Sequence, residues 1–261
     1  MKITILTIFP DFFDKFLDSS IVKRAIAKGV VSFEIVNIRD YSLDKNHRVD
    51  DHPFGGGAGL VMRLEPLVGA LRAHSGKDTH KIFLGPRGKR YSQEDAIRLS
   101  WKEDILLVCG HYEGVDSRFL DYVDEEISLG DFVLTGGEIA AMAVADSVTR
   151  LLKGAISEES TKEESFDGSL LEYDQYTYPV EFEGKKVPDI LFCGNHEAVK
   201  EYRRKESLRI TYEKRRDLFD RAPYDRKDYE YLQELKKGKK TLSRREKDAL
   251  EKGKRFVPES E

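Results

Sequence analysis

Two glycine-rich segments near the middle of this 261-residue chain hold the residues best suited to chemistry: Cys109-Gly-His-Tyr-Glu-Gly-Val-Asp116 and Ser128-Leu-Gly-Asp-Phe-Val-Leu-Thr-Gly-Gly-Glu138. Each reads as a loop leaving the end of a buried strand, where the main chain can approach a ligand without side-chain obstruction. Neither is a standard phosphate loop. The second lacks Gly-x-Gly-x-x-Gly, and neither has the Gly-Lys-Ser/Thr that would hold a triphosphate and its metal. The expected cofactor is therefore nucleoside-like rather than a dinucleotide or a nucleoside triphosphate. A third cluster, His47, Asp50, Asp51 and His52, has metal-ligand chemistry, but no cysteine joins it and its spacing fits no standard site, so no metal is expected there.

These loops need strands to carry them. Apolar runs bounded by turn residues predict strands at 3–9, 31–38, 81–84, 105–109 and 126–129. Between them the pattern predicts helices at 21–28, stopped by Gly29, at 65–74, and at 96–101 behind the capping box Ser92-Gln-Glu-Asp95, with a fourteen-residue small-apolar helix after the second glycine loop. Strands alternating with helices predict an α/β fold with a mostly parallel sheet covered on both faces. Residues 40–63 break the rhythm as one long, glycine-rich loop, of a length that is usually functional. From 154 to 184 the chain turns acidic, with nine Asp and Glu and one Lys between Ser157 and Glu183. That stretch reads as a linker. After it Asn195 can cap a long helix to about Phe219, with shorter helices at 226–237 and 243–252 forming a small all-α C-terminal domain.

The net charge of −4 hides an asymmetry, because residues 200–255 hold 21 Lys and Arg against 12 Asp and Glu, a balance of +9 that leaves −13 elsewhere. A basic helical tail on an acidic body predicts a polyanionic partner, most simply nucleic acid. The early apolar run at 3–9 is too short for a signal peptide or a membrane span. Cys109 and Cys193 are far apart and form no C-x-x-C pair, which fits a reduced, cytoplasmic protein.

Several segments together resemble the bacterial tRNA (guanine-N1) methyltransferases that modify the position-37 guanosine beside the anticodon. They are Leu6-Thr-Ile-Phe-Pro10, Val49-Asp-Asp-His-Pro-Phe-Gly-Gly-Gly-Ala-Gly-Leu-Val-Met62, the two glycine loops, Ser165-Phe166, Tyr176-Thr-Tyr-Pro179 and Gly194-Asn-His196. The resemblance spans most of the chain in family order. It implies a SPOUT-class α/β methyltransferase domain over 1–155 with a trefoil-knotted cofactor-binding region, an acidic interdomain linker at 156–184 and a basic helical tRNA-binding domain over 185–261. It also implies S-adenosylmethionine as methyl donor and a homodimer with active sites at the subunit interface. Whether magnesium assists is not legible in the sequence.

With that donor in view, the glycines at 110, 114, 130, 136 and 137 would open the main chain to the cofactor, while Leu84, Pro86, Leu129 and Leu134 would form an apolar slot for adenine. Tyr112 and Glu113 would meet the ribose or the cationic end. The resemblance assigns cofactor contacts to the rest of the second loop as well: Ser128, Asp131, Phe132 and Val133. It also gives Gly85-Pro-Arg-Gly-Lys-Arg90 as a strand-end turn whose Pro86 and Gly88 line the pocket.

Methylating guanine N1 requires a base for the ring proton and a cation or donor for charge developing on O6. The resemblance places these roles on Glu164 and Arg150. The family usually has aspartate before Ser-Phe, so glutamate is a departure, and Asp167 is the rival base. Tyr178 and Tyr202 depart in the same way, from an arginine and a tryptophan. Asn195, His196 and Arg203 are the expected tRNA contacts at the start of the basic helix. Two other functions share parts of this pattern: a SPOUT methyltransferase for another RNA site, and a non-catalytic RNA-binding protein that uses the basic tail alone.

Overall fold

Side-chain alternation along the first strand already shows two cores: in β1 (Lys2–Thr7), Ile3 and Ile5 join one apolar cluster and Leu6 joins another. A computed structural model of the chain describes residues 1–156, 165–166, 170–237 and 242–253. The chain divides into two units, Met1–Thr161 and Lys162–Glu261, with the division falling inside the predicted acidic linker.

In the first unit the strands β2 (Ser32–Asn37), β5 (His80–Arg90), β6 (Asp104–Cys109) and β7 (Glu125–Ser128) join β1 in one parallel sheet ordered β2-β1-β6-β5-β7. Period two decides which face each side chain takes. Ile82, Leu84, Ile105, Leu107 and Cys109 join Ile3 and Ile5 in one cluster, whereas Phe83, Leu106 and Val108 join Leu6 in the other. The helices α2 (Ser20–Ala27), α4 (Gln93–Ser100) and α5 (Glu138–Thr149) supply Ala25, Leu99 and Val144 to the first cluster, and α3 (Leu64–His74) supplies Leu67 and Leu71 to the second. A short helix, α1 (Asp14–Leu17), precedes α2. Burying each Val or Leu is worth about 1.5–3 kcal/mol. A valine costs a helix well under ~1 kcal/mol of propensity, so Val144 and Val148 stay helical because packing wins.

Three sequence expectations change. The strand expected at 81–84 continues as β5 to Arg90: Leu84 and Lys89 both pair with Ile127, so 85–88 bulge out and the chain then rejoins β7. The long loop at 40–63 contains an antiparallel pair, β3 (Asp50–Asp51) with β4 (Val61–Met62). The helix expected to reach Phe219 ends at Lys214. Arg215 leaves helical geometry at φ −138° and ψ 72°, and a separate short helix follows.

That break lies in the second unit. It contains the hairpin β8 (Glu181–Phe182) and β9 (Lys185–Lys186), then α6 (His196–Lys214), α7 (Arg216–Phe219), α8 (Arg226–Lys236) and α9 (Arg244–Gly253). Asn195 caps α6 by accepting the Ala198 N–H at 3.2 Å. Leu170, Leu208, Phe219 and Leu232 form one small core, and Ile190, Ala198 and Ala249 form another.

Candidate active site

The two glycine loops meet. Gly137 N–H donates to Gly110 O at 2.8 Å, and His111 bridges to Gly136. Contact is this close because position 137 has no side chain: a Cβ there would lie 2.7 Å from Cys109 Cα and 3.0 Å from Gly110 N. The first loop is clamped from its other side as well. Glu113 N–H donates to Leu60 O at 3.0 Å, Met62 N–H to Gly114 O at 2.9 Å and Asp116 N–H to Met62 O at 3.0 Å, so β4 holds the loop in place. The Glu113 side chain crosses Gly59, where a Cβ would fall 2.5 Å from its Oε1.

Between the loops lies a cavity of about 250 Å³. It gathers Leu84, Pro86, Gly110, Tyr112, Glu113, Gly114, Ser128, Leu129, Gly130, Phe132, Val133, Leu134, Gly136 and Gly137, all of them residues singled out from sequence. Asp131 is exposed and is not on its wall. Gly88 is not there either, a correction to the expected turn: it packs on the β7 backbone, where a Cβ would come within 2.4 Å of the Glu126 carbonyl. Phe83, Gly85, His111, Ile127, Thr135 and Ala140 line the wall without having been anticipated. The alternation of β5 could have placed Phe83 at that sheet end, whereas Ala140 follows only from where α5 begins.

Among the described residues, the wall carries one carboxylate, Glu113, and no lysine or arginine. Such a wall disfavours a phosphate-bearing ligand and suits one with an apolar ring and a positive charge. The residues present fit S-adenosylmethionine: Leu84, Pro86, Leu129 and Leu134 would take its base, the glycine main chain would offer hydrogen bonds, and Glu113 would face the cationic end.

Beneath the floor, Glu138 is buried at the first position of α5 and accepts from Thr7 Oγ at 2.8 Å, tying α5 to β1. Burial, with Glu138 adding to it, pushes the Cys109 thiol well up, so Cys109 is a packing residue rather than a nucleophile. Phe9 and Tyr112 stack edge-on against His111 at 5.1 and 4.9 Å.

A second, larger cavity of about 1210 Å³ shares Phe83, Pro86, Glu113 and Gly114 with the first. Its wall mixes Arg63, Arg87 and Arg118 with Glu65, Asp116 and Glu126, and Glu126 Oε1 is buried without a hydrogen-bond partner among the described residues.

Of the expected catalytic residues, Arg150 caps the C-terminal end of α5, its N–H donating to Asp146 O at 3.0 Å. Glu164 and Asp167 lie outside the described residues. In the second unit Asn195 and His196 are exposed at the start of α6, and the Arg203 guanidinium sits 4.6 Å from the Tyr173 ring centroid. Many cations of the basic tail are already engaged: Arg204 with Asp228 at 2.7 Å, Lys205 with Glu246 at 2.6 Å and Arg209 with Glu206 at 2.6 Å. The +9 balance of residues 200–255 already subtracts these partner carboxylates, so it stands as the excess left for a polyanion.

Comparison with known proteins follows the same lines. The family model described as tRNA (Guanine-1)-methyltransferase TrmD matches residues 1–221. A tRNA (guanine-N(1)-)-methyltransferase of Clostridium perfringens is 53% identical over 234 residues, covering 89% of this chain and 99% of the relative. Proteins of the same name from Clostridioides difficile and Dictyoglomus turgidum are 49% and 48% identical, covering 85% and 91% of this chain and 99% and 97% of the relatives.

Proposed function

Since the chain belongs to the tRNA (guanine-1)-methyltransferase family, we propose how its residues divide the work of that reaction. The chain is an S-adenosylmethionine-dependent enzyme that methylates N1 of the guanosine at tRNA position 37. In our reading the cavity between the glycine loops holds the cofactor, and the observation that carries this is its wall: glycine backbone, apolar side chains and a single carboxylate, without lysine or arginine among the described residues. When bound, S-adenosylmethionine supplies the methyl group as an electrophile on a sulfonium. The target guanine enters the adjoining larger cavity, which shares four wall residues with the first.

Guanine N1 carries a proton at neutral pH, and its lone pair is delocalised into the ring. Glu164, or Asp167 in its place, takes that proton, and the Arg150 guanidinium donates to O6 as negative charge develops there. Nitrogen then has a lone pair to offer and oxygen has a partner for its charge.

Arg150 lies ten residues beyond Ala140 on α5, hence about 15 Å farther along the helix axis. That separation supports a site completed by a second copy of the chain, as a homodimer would provide. Exposed Phe9, Phe12, Phe132, Val133 and Ile139 on the first unit supply apolar surface for such an interface. Two free, buried cysteines suit a reducing cytoplasm, and among the described residues no helix is long and apolar enough to cross a membrane.

The test is to replace Glu164 and Asp167 singly by alanine and to measure turnover apart from binding. Loss of a general base costs about 10²–10⁴-fold in kcat, so Glu164→Ala should lose turnover on that scale while tRNA and cofactor still bind. Loss confined to Asp167→Ala would move the base to Asp167. Unchanged turnover in both would remove these carboxylates from the chemistry.

A further inference from the structure

The second unit contains a cavity of about 320 Å³ that methyl transfer does not use. Its wall is aromatic: Tyr173, Tyr176 and Tyr178 come from the acidic segment, Phe192 from the turn before α6, and Val199 and Arg203 from α6 itself. Val199 and Arg203 are four residues apart and share a helix face, and His196 stands one turn earlier on that face. The Arg203 guanidinium carbon stands over the Tyr173 ring, 4.6 Å from its centroid, a cation–π contact.

Aromatic clusters usually fill cores. This one is open, since Tyr178 is 83% exposed and Tyr176 44%. A ring that packs only its own neighbours gains nothing by standing in water, whereas one that receives a flat ligand must stay reachable. Polar groups stand at the edge: Gln175 donates to Glu172 Oε1 at 2.6 Å, which fixes the direction of its amide, and the Asp174 carboxylate is half-exposed beside it. Burial, with Glu206 and Tyr176 adding to it, pushes the Tyr202 phenol up. Rings for stacking, a half-buried guanidinium on the wall and amide and carboxylate groups beside it match an unpaired nucleobase attached to a phosphate chain.

We propose that this cavity is a stacking site for one unpaired base of the tRNA other than the guanine that is methylated. The inference rests on the tRNA reading given above. Stacking accounts for the ring surface, and Arg203 meets the adjoining phosphate.

The experiment uses the full chain and the rates of methylation of unmodified tRNA by wild type, Tyr178→Ala and Tyr178→Phe. Because losing one base–aromatic stack costs about 5- to 150-fold in affinity, Tyr178→Ala should raise KM for tRNA within that range, leave kcat within about twofold and leave the salt dependence of tRNA binding unchanged. Tyr178→Phe keeps the ring and should behave as wild type. A set of tRNAs with single abasic sites around the anticodon loop then identifies the base: at one position the abasic substrate should weaken wild type by the same factor while adding nothing in Tyr178→Ala. A KM for Tyr178→Ala within twofold of wild type would overturn the proposal, as would abasic penalties that all add independently to the variant's own. Failure of wild type to methylate any tRNA would instead overturn the reading on which the proposal rests.

Discussion

At Gly137 one missing methyl group decides whether the two loops can close on each other. A Cβ there meets main-chain atoms of Cys109 and Gly110, which cannot rotate away as a side chain can. Overpacking of this kind costs about 1–3 kcal/mol. Gly137→Ala should therefore lower Tm by several degrees and weaken cofactor binding at least tenfold, as measured by calorimetry. Gly76→Ala, where the nearest atom is 3.8 Å away, should change neither. Cofactor binding by Gly137→Ala equal to wild type would mean that the loops do not form the site. Sequence shows that such glycines are numerous in these loops, and the fold brings the two loops together around one cavity. It does not show which glycine faces a ligand and which faces a strand. Gly88 was expected on the cavity and packs on β7 instead, because the bulge at 85–88 depends on a register between strands that neighbouring residues do not encode. Asp131, in the middle of the second loop, is exposed and off the cavity wall.

Helix α4 and strand β7 are joined by charge as well as by packing. Arg98 donates through both of its terminal nitrogens to Glu125, at 3.0 and 2.9 Å, and His80 lies 2.6 Å from the same carboxylate. Burial works to raise the Glu125 carboxyl, but Arg98 and His80 outweigh it and hold it below 4.5. Asp95, which is buried where Glu125 is half-buried, is held below the usual carboxylate range by Lys89, Ser92 and Arg98 against the same opposing effect. A depressed carboxyl adds stability that is complete above its unfolded value and is lost as pH falls through the folded one. Urea unfolding midpoints should accordingly fall as pH drops below about 4.5. Arg98→Met should cost about 1 kcal/mol at pH 7, a figure reduced for the partly exposed guanidinium, and should flatten the acid-side decline. Parallel pH profiles for the two proteins would contradict this. The capping box at Ser92 and Asp95 was legible because its partners are three residues apart. Arg98 and Glu125 are 27 apart, and only the sheet brings them together.

For the molecule as a whole, alternating strands and helices were enough to predict a covered parallel sheet, because period-two apolar runs and capped amphipathic helices are local signals. The order β2-β1-β6-β5-β7 was not legible, since it depends on which crossover lies where. The helical C-terminal unit was expected for its caps and its charge; which of its cations are tied up in ion pairs, such as Arg204 with Asp228, only the fold shows. Methyl transfer to guanine N1 of tRNA came from a resemblance that the family match bears out, whereas the donor, the target position and the base, Glu164 or Asp167, belong to the proposed function. The most direct test of the account is to incubate the purified chain with methyl-labelled S-adenosylmethionine and an unmodified tRNA carrying guanosine at position 37, then digest the RNA and locate the label. The account predicts N1-methylguanosine at position 37. Label on a ribose, on another position, or nowhere in the tRNA would contradict it.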